Sequence, residues 1–236
     1  MSNPYFQFKQ FTVWHDKCAM KVGTDGVLLG AWASVRNAHR ILDVGTGTGL
    51  VALMLAQRSL PDANIVALEI DEAAAGQARE NVARSSWKER IEVVQVDFKK
   101  YQSSAKFDVI VSNPPYFIDS LGCPDQQRNS ARHNDSLTYE DLLAGVAGLL
   151  AEDGTFTIVI PADVADRVKM IASAKRMQAV RQLNVITKPG GIPRRTLITF
   201  SFANQKCIVE ELLTEVARHQ YSKEYVALTR EYYLNM

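Results

Sequence analysis

The stretch Leu42-Asp43-Val44-Gly45-Thr46-Gly47-Thr48-Gly49 decides the fold of this 236-residue chain. An apolar run that begins at Ile41 reaches an acid, and three glycines then follow at every second position. Because glycine lacks a Cβ and tolerates positive φ, such a turn lets the backbone approach a ligand closely. The stretch therefore predicts a buried strand that ends in a ligand-binding turn.

Short apolar runs alternate with amphipathic segments along the rest of the chain. Runs rich in valine and isoleucine predict seven strands, at 41–44, 65–70, 91–96, 107–111, 155–160, 178–186 and 196–202. Helical patterns cover 50–58, 72–84, 139–150 and 163–174. We predict an α/β, Rossmann-like fold: a seven-stranded, mostly parallel sheet with helices on both faces and an antiparallel last strand.

The composition excludes several classes of protein. Hydrophobic residues make up 47% of the chain and charged residues 22%, as in ordinary soluble domains. Cys18, Cys123 and Cys207 are far apart and form no CxxC, which argues against a disulfide framework or a zinc site. Neither an export signal nor a run long enough to span a membrane is visible. We expect a cytoplasmic protein with no membrane partner and no bound metal.

Charge is distributed unevenly, although the net charge is only +1. Residues 161–200 carry eight basic side chains against two acids, residues 1–40 carry five against two, and the middle of the chain is acidic. A basic surface built from both ends could follow a phosphate backbone. Ordinary solvated helix faces explain the same distribution, so charge alone leaves both interpretations open.

The glycine spacing separates this turn from the dinucleotide-binding fingerprint GxGxxG, because Leu50 stands where that motif has its last glycine. The spacing GxGxG is typical of class I methyltransferases, whose turn packs on the methionine and ribose parts of S-adenosylmethionine. We therefore predict S-adenosylmethionine as the cofactor. Candidate ligands within the turn are Asp43, Gly45, Thr46, Gly47 and Gly49.

Acids at the ends of the next two predicted strands extend this cofactor site. The carboxylate of Glu69 can accept hydrogen bonds from both ribose hydroxyls, with Asp71 as the near alternative. Asp97 can accept from the adenine amino group, and the ring of Phe98 can cover the adenine face. Such acids are also common helix caps, which is the competing interpretation.

The second informative motif, Asn113-Pro114-Pro115-Tyr116, follows the fourth core strand roughly sixty residues later. The Asn113 side-chain oxygen and the Pro114 carbonyl can accept both N–H bonds of a planar amino or amide nitrogen. The nitrogen lone pair is then aimed at the methyl group by preorganised acceptors, without a strong base. The two prolines stiffen the loop, and Tyr116 can stack on a flipped-out base. We assign catalysis to these four residues, with Asn113 also next to the cofactor. Carbon methylation needs a cysteine nucleophile, and neither motif contains one.

The chain resembles the bacterial tRNA1(Val) (adenine(37)-N6)-methyltransferase family over nearly its full length. Beside the two motifs, the resemblance is carried by residues 6–9, 21–29 and 131–133. It implies methyl transfer to N6 of an adenosine beside a valine anticodon, with tRNA as partner and no obligate protein partner. Thr24 and Asp25 would then lie over the methionine end of the cofactor. The chain departs from the family at Asn134, where an acid is common.

Two loops are candidates for contact with RNA. Residues 117–137 follow the catalytic motif and contain Arg128, Arg132 and His133. A basic loop between the last two predicted strands contains Lys188, Arg194 and Arg195, and arginine is a good phosphate ligand. We assign His133 to the substrate loop, because the proposed chemistry needs no base.

The chain is interpreted as a single domain, with 1–38 as an N-terminal lid over the cofactor end of the sheet, 39–205 as the catalytic core and 206–236 as a C-terminal extension. Residues 6–13 alternate as a strand does, and Gly23-Thr24-Asp25 predicts the start of a helix that runs to about Trp32. Another helix is expected from Ser222. The tail tyrosines, Tyr221, Tyr225, Tyr232 and Tyr233, are expected chiefly to pack, with base stacking as the alternative.

Rival functions remain open at this point. Methylation of a glutamine amide in a protein such as a release factor uses the same planar nitrogen with two N–H donors. That family usually carries a helical domain before the glycine turn, whereas only about forty residues precede Asp43 here. Ribosomal RNA or DNA adenine is a further alternative. A binding module without activity would be expected to have lost Asn113, Pro114 or Gly47, and a nicotinamide-dependent dehydrogenase is disfavoured by Leu50.

Overall fold

The computed structural model of the chain describes residues 3–18, 20–115, 137–218 and 220–236. The strands within these ranges are β1 (Tyr5–Gln7), β2 (Thr12–Trp14), β3 (Arg40–Val44), β4 (Asn64–Glu69), β5 (Ile91–Gln95), β6 (Phe107–Ser112), β7 (Leu150–Pro161), β8 (Gln178–Ile186), β9 (Arg195–Ser201), β10 (Ile208–Leu213), β11 (Glu215–Ala217) and β12 (Gln220–Tyr221). The helices are α1 (Thr24–Trp32), α2 (Leu50–Arg58), α3 (Glu72–Ala83), α4 (Tyr139–Leu149), α5 (Ala165–Ala174) and α6 (Lys223–Thr229). None of these helices is long and apolar enough to cross a membrane.

The central sheet has the strand order β10-β8-β9-β7-β6-β3-β4-β5. Strand β9 is antiparallel to both of its neighbours, β7 and β8, and the other neighbouring pairs are parallel. The predicted mostly parallel sheet with an antiparallel last core strand is confirmed. The sheet has eight strands where seven were predicted, because β10 adds one more edge strand beside β8.

Side chains of the central strands alternate between two apolar layers, because successive residues of a strand point to opposite faces. Ile41 packs in the layer that contains α1, α2 and α6, whereas Leu42 and Val44 pack in the layer that contains α4 and α5. Helices α1 and α2 approach closely, since a Cβ added to Gly30 would lie only 2.8 Å from Met54. Both faces of the sheet are therefore covered by helices, as predicted.

The ends of the chain pack against each other. Strands β1 and β2 form an antiparallel hairpin, and Phe8, beside it, forms a bridge with Tyr233. The backbone N–H of Lys9 donates to the Tyr232 carbonyl at 2.8 Å, and its ammonium group donates to the carbonyl of Arg230. Tyr232 is buried, which confirms the expected packing role for this tyrosine. The predicted helix start at Ser222 is also confirmed.

The connections place a ligand site at the middle of the sheet. The chain runs from β3 outward through β4 and β5 and then returns to β6 on the other side of β3. Open α/β sheets bind ligands at such a switch point, outside the carboxyl ends of the strands. The Ser112 hydroxyl, at the end of β6, donates to the Val44 carbonyl at 2.9 Å, which fixes the two strand ends to each other. The glycine turn after β3 and the Asn-Pro-Pro motif after β6 therefore begin next to each other at the carboxyl edge of the sheet.

Candidate active site

The glycine turn adopts the backbone that its sequence predicts. Gly45, Gly47 and Gly49 have φ values of +73°, +56° and +81°, in the left-handed region that favours glycine. The N–H groups of Gly45 and Thr46 both donate to the Leu68 carbonyl at 2.9 Å, which ties the turn to the end of β4. A Cβ added at Gly45 or Gly47 would meet no atom within 4 Å, so this part of the turn borders open space.

Asp43 supports the turn from below. Its side chain is buried, accepts a hydrogen bond from the Thr46 hydroxyl at 2.6 Å, and does not line the adjoining cavity. Burial raises the pKa of Asp43 from its ordinary 3.8 to about 7, although hydrogen bonds from Thr46 and from the backbone of Ala52 lower it. The nearby carboxylate of Glu69 raises this pKa further. Asp43 therefore lies against the turn and outside the cavity, and its contact with a cofactor stays a prediction.

Glu69 joins the glycine turn to the turn after β4, which contains Ile70 and Asp71. Its Oε2 accepts from the Gly47 N–H at 2.8 Å, and its Oε1 accepts from the N–H groups of Ile70 and Asp71 at 2.9 and 3.0 Å. A carboxylate oxygen has two lone-pair sites, so Oε2 retains capacity for a further donor. Glu69 is therefore held rigidly at the edge of the open space beside Gly47.

The other two strand-end acids cap local structure. The Asp71 carboxylate accepts from the Ala74 N–H at 2.8 Å at the start of α3, as the capping alternative predicts. Asp97 accepts from the Lys99 N–H at 2.9 Å at a 3₁₀ turn. Asp97 also faces the cavity, together with the ring of Phe98, so capping and ligand contact are compatible there.

A cavity of about 440 Å³ lies at the switch point; we call it the central cavity. It brings together predicted site residues from five parts of the chain: Asp25, Gly45, Thr46, Gly47, Glu69, Asp97, Phe98, Asn113 and Pro115. Gly49 lies outside it, against Ala78 of α3. The volume falls within the range of roughly 300–1,000 Å³ that is common for small-molecule sites.

The catalytic motif is described up to Pro115. Asn113 is half-buried, Pro114 is buried and Pro115 is exposed at the mouth of the central cavity. A Cβ added to Gly26 of α1 would lie 3.8 Å from the Asn113 side-chain nitrogen, so the first turn of α1 passes directly over Asn113. The candidates Tyr116, Arg128, Arg132 and His133 lie outside the described residues.

Asp25 and Arg195 form an ion pair beside this cavity, with 3.0 Å between the Arg195 Nε and the Asp25 Oδ2. Asp25 lines the central cavity and also a second cavity, which we call the terminal groove. The terminal groove is bordered by Tyr5, Thr24, Arg194, Glu215, Tyr221 and Met236. Thr24 thus faces the terminal groove and does not line the central cavity. Lys188 and Arg194 are exposed on the loop between β8 and β9.

Cys18 also lines the central cavity, which the two motifs do not predict. Burial is the main cause that raises the pKa of its thiol to about 11, and the acids Glu69, Asp71 and Asp16 raise it further. The thiol is therefore protonated near neutral pH, and a thiolate nucleophile for carbon methylation is disfavoured. The geometry is consistent with a nitrogen acceptor.

Several apolar residues of the central cavity were missed by the motif analysis. They are Met20, Val22, Ile70, Val96 and Leu137. Ile70 carries the one usable signal, because a large apolar side chain stands between two strand-end acids; its exposure of 58% shows that the fold does not bury it. The others come from irregular segments, where no period indicates which way a side chain points.

The sheet order, the glycine turn and the Asn-Pro-Pro motif at one switch point define a class I methyltransferase. The fold is similar to that of a protein from Agrobacterium tumefaciens described as a predicted O-methyltransferase, with a TM-score of 0.68 and 20% identity, over 90% of this chain and 100% of that one. At this identity, the similarity supports the fold alone.

Sequence comparison identifies the family. The profile described as "Methyltransferase small domain" matches residues 23–187. A protein from Bacteroides thetaiotaomicron named tRNA1(Val) (adenine(37)-N6)-methyltransferase is 80% identical over 236 residues, 100% of both chains. One of the same name from Aeromonas hydrophila is 47% identical over 234 residues, 99% of both chains. The chain belongs to the tRNA1(Val) (adenine(37)-N6)-methyltransferase family.

Proposed function

We propose that this protein transfers a methyl group from S-adenosylmethionine to N6 of adenosine 37 in tRNA1(Val). The observation that carries the proposal is the shared central cavity, where Asn113 and Pro115 lie beside Gly47 and Glu69. The names of the full-length relatives support the substrate and the atom. We expect the enzyme to act in the cytoplasm, where tRNA is found.

The residues present fit the proposed cofactor. Open space borders Gly45 and Gly47, where a side chain would obstruct a ligand. The carboxylates of Glu69 and Asp97 offer acceptors for hydroxyl and amino donors, while Phe98 offers an aromatic ring. When bound, S-adenosylmethionine would supply a methyl group on a positively charged sulfur, and loss of that methyl group would leave S-adenosylhomocysteine as the product.

Asn113 and Pro114 would prepare the acceptor nitrogen. The lone pair of an adenine amino group is delocalised into the ring, so the nitrogen is a poor nucleophile. The Asn113 side-chain oxygen and the Pro114 carbonyl accept its two N–H bonds and stabilise the positive charge that develops as the nitrogen becomes tetrahedral. Both residues are at least half-buried, and fixed acceptors of this kind act more strongly away from water. The methylated nitrogen then loses its extra proton to water.

The rival substrate, a glutamine amide, offers the same two N–H donors. The choice between the two substrates therefore depends on the residues around the site. Exposed Arg194 borders the neighbouring terminal groove, exposed Lys188 lies on the same loop, and such side chains suit phosphates. A flat adenine also suits the apolar mouth near Pro115 and Leu137. These features and the relatives together favour RNA adenine.

The test is tritiated methyl transfer from S-adenosylmethionine to total tRNA from a strain that lacks this gene, followed by nucleoside mass spectrometry of the purified tRNA species. We expect N6-methyladenosine in one valine tRNA. Label in protein, in ribosomal RNA or in DNA, without label in tRNA, would contradict the proposal. A tRNA transcript with guanosine in place of adenosine 37 is the matched control.

A further inference from the structure

The terminal groove is the largest cavity described here and has no part in the chemistry proposed above. Its volume is about 1040 Å³, more than twice the 440 Å³ of the central cavity. Its walls come from both ends of the chain, from the start of α1, and from the carboxyl end of β8 with the adjoining start of β9. It therefore opens on the same side of the sheet as the active site.

The ion pair between Asp25 and Arg195 separates the two cavities. Asp25 borders both of them, whereas Arg195 borders only the terminal groove. The pair is partly exposed, with 25% of the Asp25 side chain and 33% of the Arg195 side chain accessible to solvent. A ligand in the central cavity and a ligand in the terminal groove would therefore be neighbours, one on each side of this pair.

Tyr221 supplies an aromatic surface in the groove. It is 47% exposed, although its ring lies 5.1 Å from the ring of Tyr225, which is buried. The buried ring of Tyr225 supports the exposed ring of Tyr221. The Tyr221 side chain therefore loses little conformational entropy when a flat ligand stacks on it. An aromatic platform of this kind stabilises a stacked nucleic acid base, because every base has a flat face. Tyr232, also in the C-terminal tail, is enclosed in the core instead.

The charges of the groove suit a short strand better than a duplex. Arg194 and Arg195 stand on its wall, but so do Asp25, which is paired with Arg195, and Glu215. A wall that carries both basic and acidic side chains does not attract a polyanion along the whole length of the groove. It can contact one or two phosphates at Arg194 while the bases stack, which is how single-stranded loops of RNA are commonly recognised.

We propose that the terminal groove binds the unpaired nucleotides next to the target adenosine, with one base stacked on Tyr221 and a phosphate at Arg194. This inference rests on the proposed function, because it takes the substrate to be a tRNA anticodon loop. It explains why the two chain ends form a cavity next to the catalytic one. The groove contributes to the choice of RNA, and the central cavity carries out the chemistry.

Steady-state methylation of an anticodon stem-loop oligonucleotide tests the groove. Tyr221→Ala is expected to raise the KM for this RNA about tenfold, with kcat within twofold and S-adenosylmethionine affinity unchanged. Tyr221→Phe keeps the ring and is expected to behave as wild type. Thr187→Trp, which fills the groove from an exposed position on its wall, is expected to raise the same KM with Tyr221 intact. Thermal unfolding of each variant identifies any loss of folding.

A second readout locates the RNA. A stem-loop with 4-thiouridine beside the target adenosine is expected to crosslink to the peptide that contains Tyr221, and Thr187→Trp is expected to weaken that crosslink. An unchanged KM in folded Tyr221→Ala and Thr187→Trp, with crosslinks elsewhere, would overturn the inference while methylation of tRNA stood. Wild-type protein that methylates no tRNA would refute the proposed function. Size-exclusion chromatography covers one further outcome. A wild-type dimer that becomes a monomer in Thr187→Trp, with the RNA KM unchanged, would assign the groove to a second copy and overturn the inference.

Discussion

Asn113 is the single residue on which the proposed chemistry depends most. It lies half-buried beneath the first turn of α1, and it follows β6 directly. Asn113→Ala is expected to lower kcat by on the order of a hundredfold or more, because a preorganised acceptor that acts in the transition state is lost. The affinity for S-adenosylmethionine, measured by isothermal titration, is expected to stay near the wild-type value.

Asn64→Ala is a matched control for that variant. Asn64 stands at the amino end of β4, away from the switch point, and its side-chain amide donates to the neighbouring Asp62 carbonyl at 3.2 Å. Both kcat and cofactor affinity are expected to remain unchanged in this control. If Asn113→Ala instead lost cofactor affinity and kept kcat at saturation, Asn113 would be a binding residue and its catalytic assignment would be wrong.

Asp43 makes stability depend on pH. Because burial raises its pKa to about 7 from 3.8, the folded protein holds a proton that the unfolded chain releases in this interval. The contribution of Asp43 to stability is therefore present below pH 4 and falls as pH rises to about 7, by at most about 1.4 kcal/mol per pH unit. In Asp43→Asn this slope is absent.

Urea unfolding of both proteins at pH 5, 6, 7 and 8 measures this effect. The stability of wild type minus that of Asp43→Asn is expected to decrease up to about pH 7 and to level off above it. Taking the difference removes the contributions of groups that titrate in both proteins. A difference that is constant across the range would mean that Asp43 titrates in the folded state as it does in the unfolded chain.

The glycines and strand-end acids could be located from the sequence because their types and spacing follow from the turn. The different contacts that each of these acids makes could not be predicted in this way. Glu69 shares its oxygens with three backbone donors, and Asp43 points beneath the turn. Those directions depend on the path of the backbone after each strand, which residue types alone do not specify. The assignment of each residue to cofactor or RNA stays a prediction.

Among the secondary-structure elements, the N-terminal hairpin is connected to the glycine turn through one side chain of α3. The Asn81 amide is buried; its oxygen accepts from the Trp14 N–H at 2.9 Å, and its nitrogen donates to the carbonyls of Trp14 and Thr48 at 2.8 and 2.9 Å. One residue thus fixes β2 to α3 and to the turn. The hairpin is thus joined to the glycine turn, although it does not itself line the central cavity.

Asn81→Ala removes all three hydrogen bonds and leaves buried backbone groups without partners. Each such group costs about 1–3 kcal/mol, so the variant is expected to unfold at clearly lower denaturant concentration and to bind S-adenosylmethionine less tightly. Gln102→Ala, at an exposed loop position, is a control expected to change stability by less than about 0.5 kcal/mol. Unchanged cofactor affinity in a folded Asn81→Ala variant would show that the hairpin and the turn are independent.

Most elements were predicted from periodicity. The short strands β11 and β12 were missed, and so was β10, the strand of the central sheet that shows the limit of that signal. β10 has Glu210 and Glu211 at its centre, and most of its residues are exposed. Its pairing depends on contacts with β8, including the ion pair between Glu210 and Arg181 at 2.8 Å. An edge strand that is stabilised by one neighbour need not be rich in Val and Ile. The interpretation of residues 1–38 as a lid stays a prediction.

At the scale of the whole molecule, part of the uneven charge distribution lies on the loop between β8 and β9. The basic loop after β8 carries exposed Lys188 and Arg194, and Arg194 borders the terminal groove. The double variant Lys188→Ala, Arg194→Ala is expected to weaken RNA binding and to reduce the slope of log affinity against log salt by roughly 0.7–0.9 for each lost phosphate contact. Fluorescence anisotropy of labelled tRNA at several salt concentrations measures this slope.

Arg195 is kept in that variant because its guanidinium is paired with Asp25. Its removal would disturb the wall of the central cavity as well. Lys175→Ala is the control, since this exposed lysine precedes the amino end of β8, at the opposite edge of the sheet. A salt slope that changes equally in Lys175→Ala would show that general charge, and not this loop, determines the affinity for RNA.

The pairing of the N-terminal hairpin with the C-terminal tail has a consequence for the rate of folding. The Lys9 ammonium group donates to the Arg230 carbonyl, 221 positions further along the chain, and Phe8 forms a bridge with Tyr233. Contacts between residues so far apart in sequence require the closure of a long loop, which slows their formation. We therefore expect the contacts between hairpin and tail to form after the central sheet. Pulsed hydrogen exchange during refolding measures this order: the Lys9 N–H, which donates to the Tyr232 carbonyl, is expected to become protected later than the amides of β3 and β6.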